Sequence, residues 1–158
     1  FIQNYYTDSK MMITNYIKKN FNPEDAIILY PYNFNSTYRK SGFLFYKIFD
    51  SIINNKKIEL GHIDINRELM HAKYVSSFVQ KNKKSEIIGT GKLTNVQKFI
   101  HDLYDAFNMV FEDYVLYNNT FDTKKNINWK KTDNQDYKYS CLLHDTIQDL
   151  NNKKSKNE

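Results

Sequence analysis

The side chains with the clearest chemical potential begin six residues into the chain. Tyr6 and Lys10 stand four residues apart, the spacing that sets both on one face of a helix. An ammonium one turn from a phenol favours the phenolate, the form in which a tyrosine acts as general base. By spacing alone the pair is a weak signal. With 13 tyrosines and 21 lysines, chance supplies about 1.7 such pairs, and a plain surface pair is the competing reading.

The two arginines, Arg39 and Arg67, come next. Every other cation is a lysine scattered among Asn, Ile and Tyr. An arginine kept in such a chain points to a need for its planar fork, as phosphate or carboxylate recognition has. Asp64 and Glu68 lie four apart and flank Arg67. They have the spacing to bind a cation, but the preferred reading is that they orient Arg67 or face solvent. His62, His71, His101 and His144 show no metal-ligand spacing, and His71 reads as a helix-packing residue. Cys141 is the single cysteine, which excludes a disulfide framework and a cysteine-built zinc site; no basic neighbour activates it.

The elements that must position these groups alternate between helix and strand patterns. Tyr6, Met11, Ile13, Tyr16 and Ile17 predict an amphipathic helix over 3–20, ending before Pro23. The apolar run 26–30 predicts a strand buried on both faces of a parallel sheet. A polar loop follows over 31–41. Phe43, Leu44, Ile48, Phe49, Ile52 and Ile53 predict a second helix, with the aromatics of 43–49 read as core packing. A short strand at 57–60 and a helix over 68–80 come next. A strand at 86–88 ends at Gly89-Thr90-Gly91, and Thr94 or Asn95 caps the helix carrying Val96 to Phe107. The fold class is therefore α/β. The expected divisions are an α/β part over 1–117, a polar loop or lid over 118–139, a terminal helix over 140–150 and a disordered tail over 151–158.

Composition narrows the function classes. The 158 residues (19.0 kDa) suffice for one domain, and 41% hydrophobic with 16% aromatic content excludes a disordered chain despite a mean hydropathy of −0.72. No apolar run reaches membrane-spanning length and no leader pattern opens the chain, so a cytoplasmic location is expected. The net charge of +5 and pI near 9.1 invite a nucleic-acid reading. The near absence of arginine argues against it, and such a binder would show salt-sensitive retention on DNA. The chain opens on Phe1, inside an apolar helical pattern, so a preceding segment is expected.

Read in order, the Tyr-Lys helix, the buried strand, the loop Tyr32 to Phe43, and the stretches 60–75 and 87–100 form a pattern. It resembles the C-terminal half of the extended short-chain dehydrogenase/reductases, the NAD-dependent epimerase/dehydratase family, and within them the GDP-mannose 4,6-dehydratases. The resemblance covers residues 5 to about 107 and is most specific at Gly61, Asp64, Arg67-Glu68 and His71-Ala72-Lys73. It implies a partial Rossmann-like fold lacking the N-terminal glycine-rich βαβ unit, with the catalytic-helix half and the substrate-binding region.

The resemblance also implies roles. Tyr6 is the catalytic acid/base, and Lys10 is its partner and a holder of the cofactor ribose. Asn33 lies beside nicotinamide and sugar, Arg39 near the cofactor, Phe43 and Lys47 in the nucleotide-sugar site, and Arg67 on the diphosphate. The cofactor is NAD or NADP, the substrate a nucleotide-diphosphate sugar oxidised at C4. A homodimer, or a partner chain supplying the cofactor half, is implied. This chain alone is expected to be inactive, since the family's phosphate loop and catalytic Ser/Thr have no counterpart in it. The loop after Asn33 also departs from the family, reading Phe34-Asn35-Ser36 where it has His-Glu-Ser. The alternative reading is a non-catalytic nucleotide-sugar-binding or interaction module that keeps the scaffold.

Overall fold

The computed structural model describes residues 5–81, 83–117 and 137–156. Helix α1 (Tyr5–Asn20) leads to β1 (Leu29–Pro31) and β2 (Asn33–Asn35), then α2 (Leu44–Asn54) and β3 (Ile58–Leu60). Next come β4 (Asn66–Arg67), β5 (Leu69–His71), α3 (Ala72–Lys81) and β6 (Glu86–Ile88). The chain continues through β7 (Thr94–Asn95), α4 (Val96–Ala106), α5 (Phe111–Tyr114), β8 (Val115–Tyr117) and α6 (Tyr139–Lys154). Among the described residues the strands form four pairs. Three are parallel, β1 with β6, β2 with β5 and β3 with β8, while β4 and β7 run antiparallel. The α/β reading of the sequence holds.

The core sits where α2, α4 and α6 close on β5. Helix α2 contributes Ile48, Phe49 and Ile52, and α4 contributes Val96, Phe99, Ile100, Leu103 and Tyr104. Both show apolar residues at spacings of three and four, which puts them on one stripe. The start of α4 is fixed as the sequence predicts, with the Asn95 side chain accepting from the Lys98 N–H. Inside the core the Tyr104 hydroxyl donates to Ser51 Oγ at 2.7 Å, and Ser51 in turn donates to the Lys56 carbonyl.

Several elements depart from expectation for identifiable reasons. Residues 68–71 do not begin a helix: Leu69, Met70 and His71 are all buried and pair in parallel with β2, and α3 starts at Ala72. Three consecutive buried side chains suit a strand covered on both faces, which periodicity cannot separate from a helix start. His71 therefore packs from a strand, with Nε2 3.1 Å from Asp149 Oδ2 on α6. The polar loop expected over 31–41 contains β2, whose Asn35 is fully buried and donates to Thr146 Oγ1. Helix α6 runs to Lys154 rather than stopping at Leu150, and Lys153 Nζ donates to the Thr37 carbonyl. The first four residues of the expected tail are thus helical. Most of the expected polar loop, residues 118–136, lies outside the described residues. Tyr137 is buried, with its hydroxyl accepting from the His71 N–H. No helix among the described residues is long and apolar enough to cross a membrane.

The largest departure is at β1. It pairs in parallel as expected but is not enclosed, since Ile27 and Tyr30 are 38% and 40% exposed. Its partner β6 occupies one edge. The other edge faces a cavity that separates it from α1, a helix with no buried residue.

Candidate functional site

That cavity, about 840 Å³, collects most of the residues singled out in the sequence. Tyr6 and Lys10 enter from α1, Asn33 from β2, Arg39 from the loop, Phe43 from the residue before α2, and Arg67 from β4. Its volume falls in the range of ligand pockets, and its lining is mostly apolar with a few convergent polar groups. Lys47 is exposed on α2 and is not part of this wall.

On the α1 side, Lys10 Nζ sits over the Tyr6 ring, 5.5 Å from its centroid. Helical spacing delivers this contact, since residues four apart share a face. Tyr6 is 72% exposed, so its hydroxyl is accessible from the open cavity. Thr14, one turn beyond Lys10, continues the same wall.

On the opposite side the arginines are fixed by short local contacts. Gly42, at φ 94°, takes a left-handed conformation that brings Phe43 back toward the loop. Arg39 Nη2 donates to the Phe34 carbonyl at 3.0 Å. Its guanidinium lies 4.4 Å from the Phe34 ring and 5.1 Å from the Phe43 ring. Two aromatic faces thus hold a planar cation that lysine would fit poorly. Phe34 is the residue that sequence reading missed here. Its only signal was its place in a short loop five residues before an arginine.

Arg67 is positioned by the β4–β7 pair, opposite Thr94, and its Nη1 donates to the Asn66 carbonyl at 2.9 Å. The flanking acids do not orient it. Asp64 accepts from Asn95 Nδ2 at 2.8 Å. Glu68 is 1% exposed and its Oε2 accepts from the backbone N–H groups of Thr90 and Gly91. Of the expected alternatives, orienting Arg67 or facing solvent, Asp64 takes the second, being exposed, and Glu68 takes neither: it is buried, and both acids serve the turn and cap that lead into α4. Asn33 Nδ2 donates to the Glu68 carbonyl at 3.4 Å, tying β2 to the same point.

No protein-family model matches this sequence, and no curated protein matches it. Solved structures do share its fold. A dTDP-glucose 4,6-dehydratase from Bacillus anthracis in complex with NAD aligns at a TM-score of 0.65 and 15% identity, covering 95% of this chain and 53% of that one. A UDP-glucose 4-epimerase from Thermotoga maritima with UDP-glucose aligns at 0.63 and 12% identity, covering 92% and 52%. A protein named RMD from Pseudomonas aeruginosa, complexed with NADPH, aligns at 0.55 and 12%, covering 80% and 48%. The chain spans about half the length of these structures. At such identities the likeness concerns the fold, and that fold is a mixed α/β arrangement similar to about half of a Rossmann-like short-chain dehydrogenase chain.

Proposed function

We propose that this chain carries the catalytic-helix half and the substrate wall of an NAD(P)-dependent nucleotide-sugar 4,6-dehydratase or 4-epimerase, of the kind its sequence pattern resembles in the GDP-mannose dehydratases. The observation that carries the reading is the single cavity that joins Tyr6 and Lys10 to Asn33, Arg39, Phe43 and Arg67. These residues lie up to 61 positions apart in the chain (67 − 6), so the fold and not sequence proximity brings them to one space.

In this reading Tyr6 takes the proton of the sugar C4 hydroxyl as general base, and the Lys10 ammonium stabilises the phenolate that does so. Arg67 holds the diphosphate through its planar fork, which sets C4 within reach of Tyr6. Arg39, clasped by Phe34 and Phe43, offers a second rigid cation on the same wall.

The donor set also fits the nicotinamide-ribose end of a dinucleotide, with Tyr6 and Lys10 as the residues to hold it. When bound, a nicotinamide supplies the hydride acceptor. The pyrophosphate end does not fit the described residues. A pyrophosphate seeks free backbone amides at a glycine-rich helix start, and the one Gly-x-Gly turn here has its Thr90 and Gly91 amides already bound to the Glu68 carboxylate. The same observation favours the second reading, a module that binds a nucleotide sugar without turning it over.

A calorimetric titration of the chain with GDP, UDP and their sugars tests the proposal. Nucleotide-diphosphate binding is expected, and Arg67→Lys is expected to weaken it by about tenfold through loss of the fork. Equal affinity of parent and variant removes Arg67 from the diphosphate role. In the complete enzyme Tyr6→Phe is expected to abolish turnover and leave affinity near the parent's; turnover that survives the substitution removes Tyr6 from the mechanism.

A further inference from the structure

Lys10 and Arg67 have tasks in the proposed reaction; Arg39, the third cation of the cavity, has none. Among the described residues the cavity lining holds these three cations and no aspartate or glutamate. The acids next to it in sequence are turned elsewhere. Glu68 receives the Thr90 and Gly91 amides, Asp64 receives Asn95 Nδ2, and Asp8, two residues from both Tyr6 and Lys10, falls on another side of α1. Neither arginine makes an ion pair among the described residues. The space is therefore built for an anion, and its charge exceeds what Tyr6 as phenolate can match.

Arg39 is held in place before any ligand arrives. Its Nη2 donates to the Phe34 carbonyl, and its other N–H groups have no protein partner among the described residues. The Phe34 and Phe43 rings cover the faces of the guanidinium, which leaves its edge as the binding surface. Phe34 stands where the resembling family has His, so this clasp is a feature of this chain.

In charge alone, one diphosphate could satisfy both arginines, but their places in the wall decide against it. Arg67 closes β4, ahead of β5. Asn33 is level with Leu69, the first residue of β5, and the Phe34 carbonyl that anchors Arg39 is one residue further, level with Met70. Asn33 thus lies between the anchors of the two forks. A ligand with its diphosphate on Arg67 and its sugar at Asn33 brings the far side of the sugar to Arg39.

We propose that this far side carries a carboxylate and that Arg39 reads it, so that the ligand is a nucleoside-diphosphate sugar acid. The diphosphate on Arg67 rests on the proposed function; the second anion rests on the clasped, unpaired Arg39. A carboxylate presents two coplanar oxygens to the edge of the planar fork, the pairing an ammonium cannot reproduce. A hexuronate has no C6 hydroxyl to eliminate, so of the two activities proposed above it is a substrate for 4-epimerisation.

Calorimetric titration of the chain with two matched pairs tests this: UDP-glucuronate against UDP-glucose, and GDP-mannuronate against GDP-mannose. In at least one pair the acid is expected to bind about tenfold more tightly than the neutral sugar. Arg39→Gln is expected to bring the two members of that pair to within about twofold, whereas Arg67→Lys weakens both alike and keeps their ratio. The parent's preference is read without any variant, so a misfolded Arg39→Gln does not shield the proposal. Binding of the neutral sugars with no preference for the acids overturns it and keeps the proposed function. An Arg39→Gln chain that retains the preference overturns it too. So does a parent preference for NADP over NAD that Arg39→Gln removes, which assigns Arg39 to a cofactor phosphate. Absence of binding by all four sugars sinks the proposed function and this inference with it.

Discussion

Replacing Glu68 gives the sharpest test of how the site's scaffold is held. Its carboxylate is 1% exposed, and one oxygen, Oε2, receives both the Thr90 and the Gly91 N–H groups at 2.5 and 3.2 Å. Thr90 and Gly91 are themselves buried. In Glu68→Ala two buried donors lose their acceptor, each at about 1–3 kcal/mol, for a total of about 4 kcal/mol. Against a domain stability of about 5–15 kcal/mol that is a large share, and it corresponds to a Tm lower by about 8–16 °C. Glu68→Gln behaves differently because both amides converge on a single oxygen. A carboxamide oxygen can accept both, so at these two amides the loss is of charge assistance, about 1–2 kcal/mol. Urea unfolding followed by circular dichroism reads both values as a shift in midpoint at constant slope. A Glu68→Ala midpoint within about 0.5 kcal/mol of the parent refutes the argument, as does a Glu68→Gln variant as unstable as Glu68→Ala. The nucleotide-sugar affinity of Glu68→Gln is the control. If Glu68 braced Arg67, as the sequence invites one to think, that affinity would fall with Arg67→Lys; the structure predicts that it stays.

Two further outcomes follow from buried polar contacts. Tyr104→Phe deletes the donor to Ser51 Oγ in the centre of the core and is expected to cost about 1–2 kcal/mol in urea unfolding, with no change in nucleotide binding. His71 is held below its ordinary value of 6.5, because burial disfavours its charged form more than Asp149 and Asp145 favour it. The unfolded chain therefore takes up the proton first as pH falls. Stability is kept in full above about pH 6.5 and declines below it, and His71→Gln is expected to flatten that decline in midpoints measured from pH 5 to 8. An unchanged slope removes His71 as its source.

What was legible in the sequence was set by local signals that the final packing did not contradict. The stripes of α2 and α4, the Asn95 cap and the parallel strands at 58–60 and 86–88 follow from periodicity, a capping side chain and short apolar runs. Site residues were legible through type and order: two arginines in a lysine-rich chain, and a tyrosine and lysine one turn apart, all but Lys47 placed on one cavity. The misses have a common cause. Residues 33–35 and 69–71 become strands only because each finds the other, a pairing across 36 positions (69 − 33) that no local window contains. Glu68 looked like a companion of Arg67 because they are adjacent, but Arg67 closes β4 on the cavity while Glu68, between β4 and β5, turns its carboxylate to the Thr90 and Gly91 amides before α4.

The two walls of the site differ in how firmly they are held, and this bears on what the chain can do. Phe34, Leu44, Phe45 and Ile65 pack against the core, and Leu69 belongs to it, so the wall bearing Asn33, Arg39 and Arg67 moves only with the fold. Helix α1 buries no residue, so Tyr6 and Lys10 hang on a wall whose distance from the first is not fixed by packing. Anion recognition needs only the anchored wall. Proton transfer needs both, since a general base must come within about 3 Å of its proton and a misplacement of about 1 Å can cost a hundredfold in rate. Under the proposed function affinity and turnover therefore separate: Arg67 and Arg39, on the anchored wall, would hold a ligand wherever α1 sits, while Tyr6 would reach it productively only with α1 fixed at the right distance.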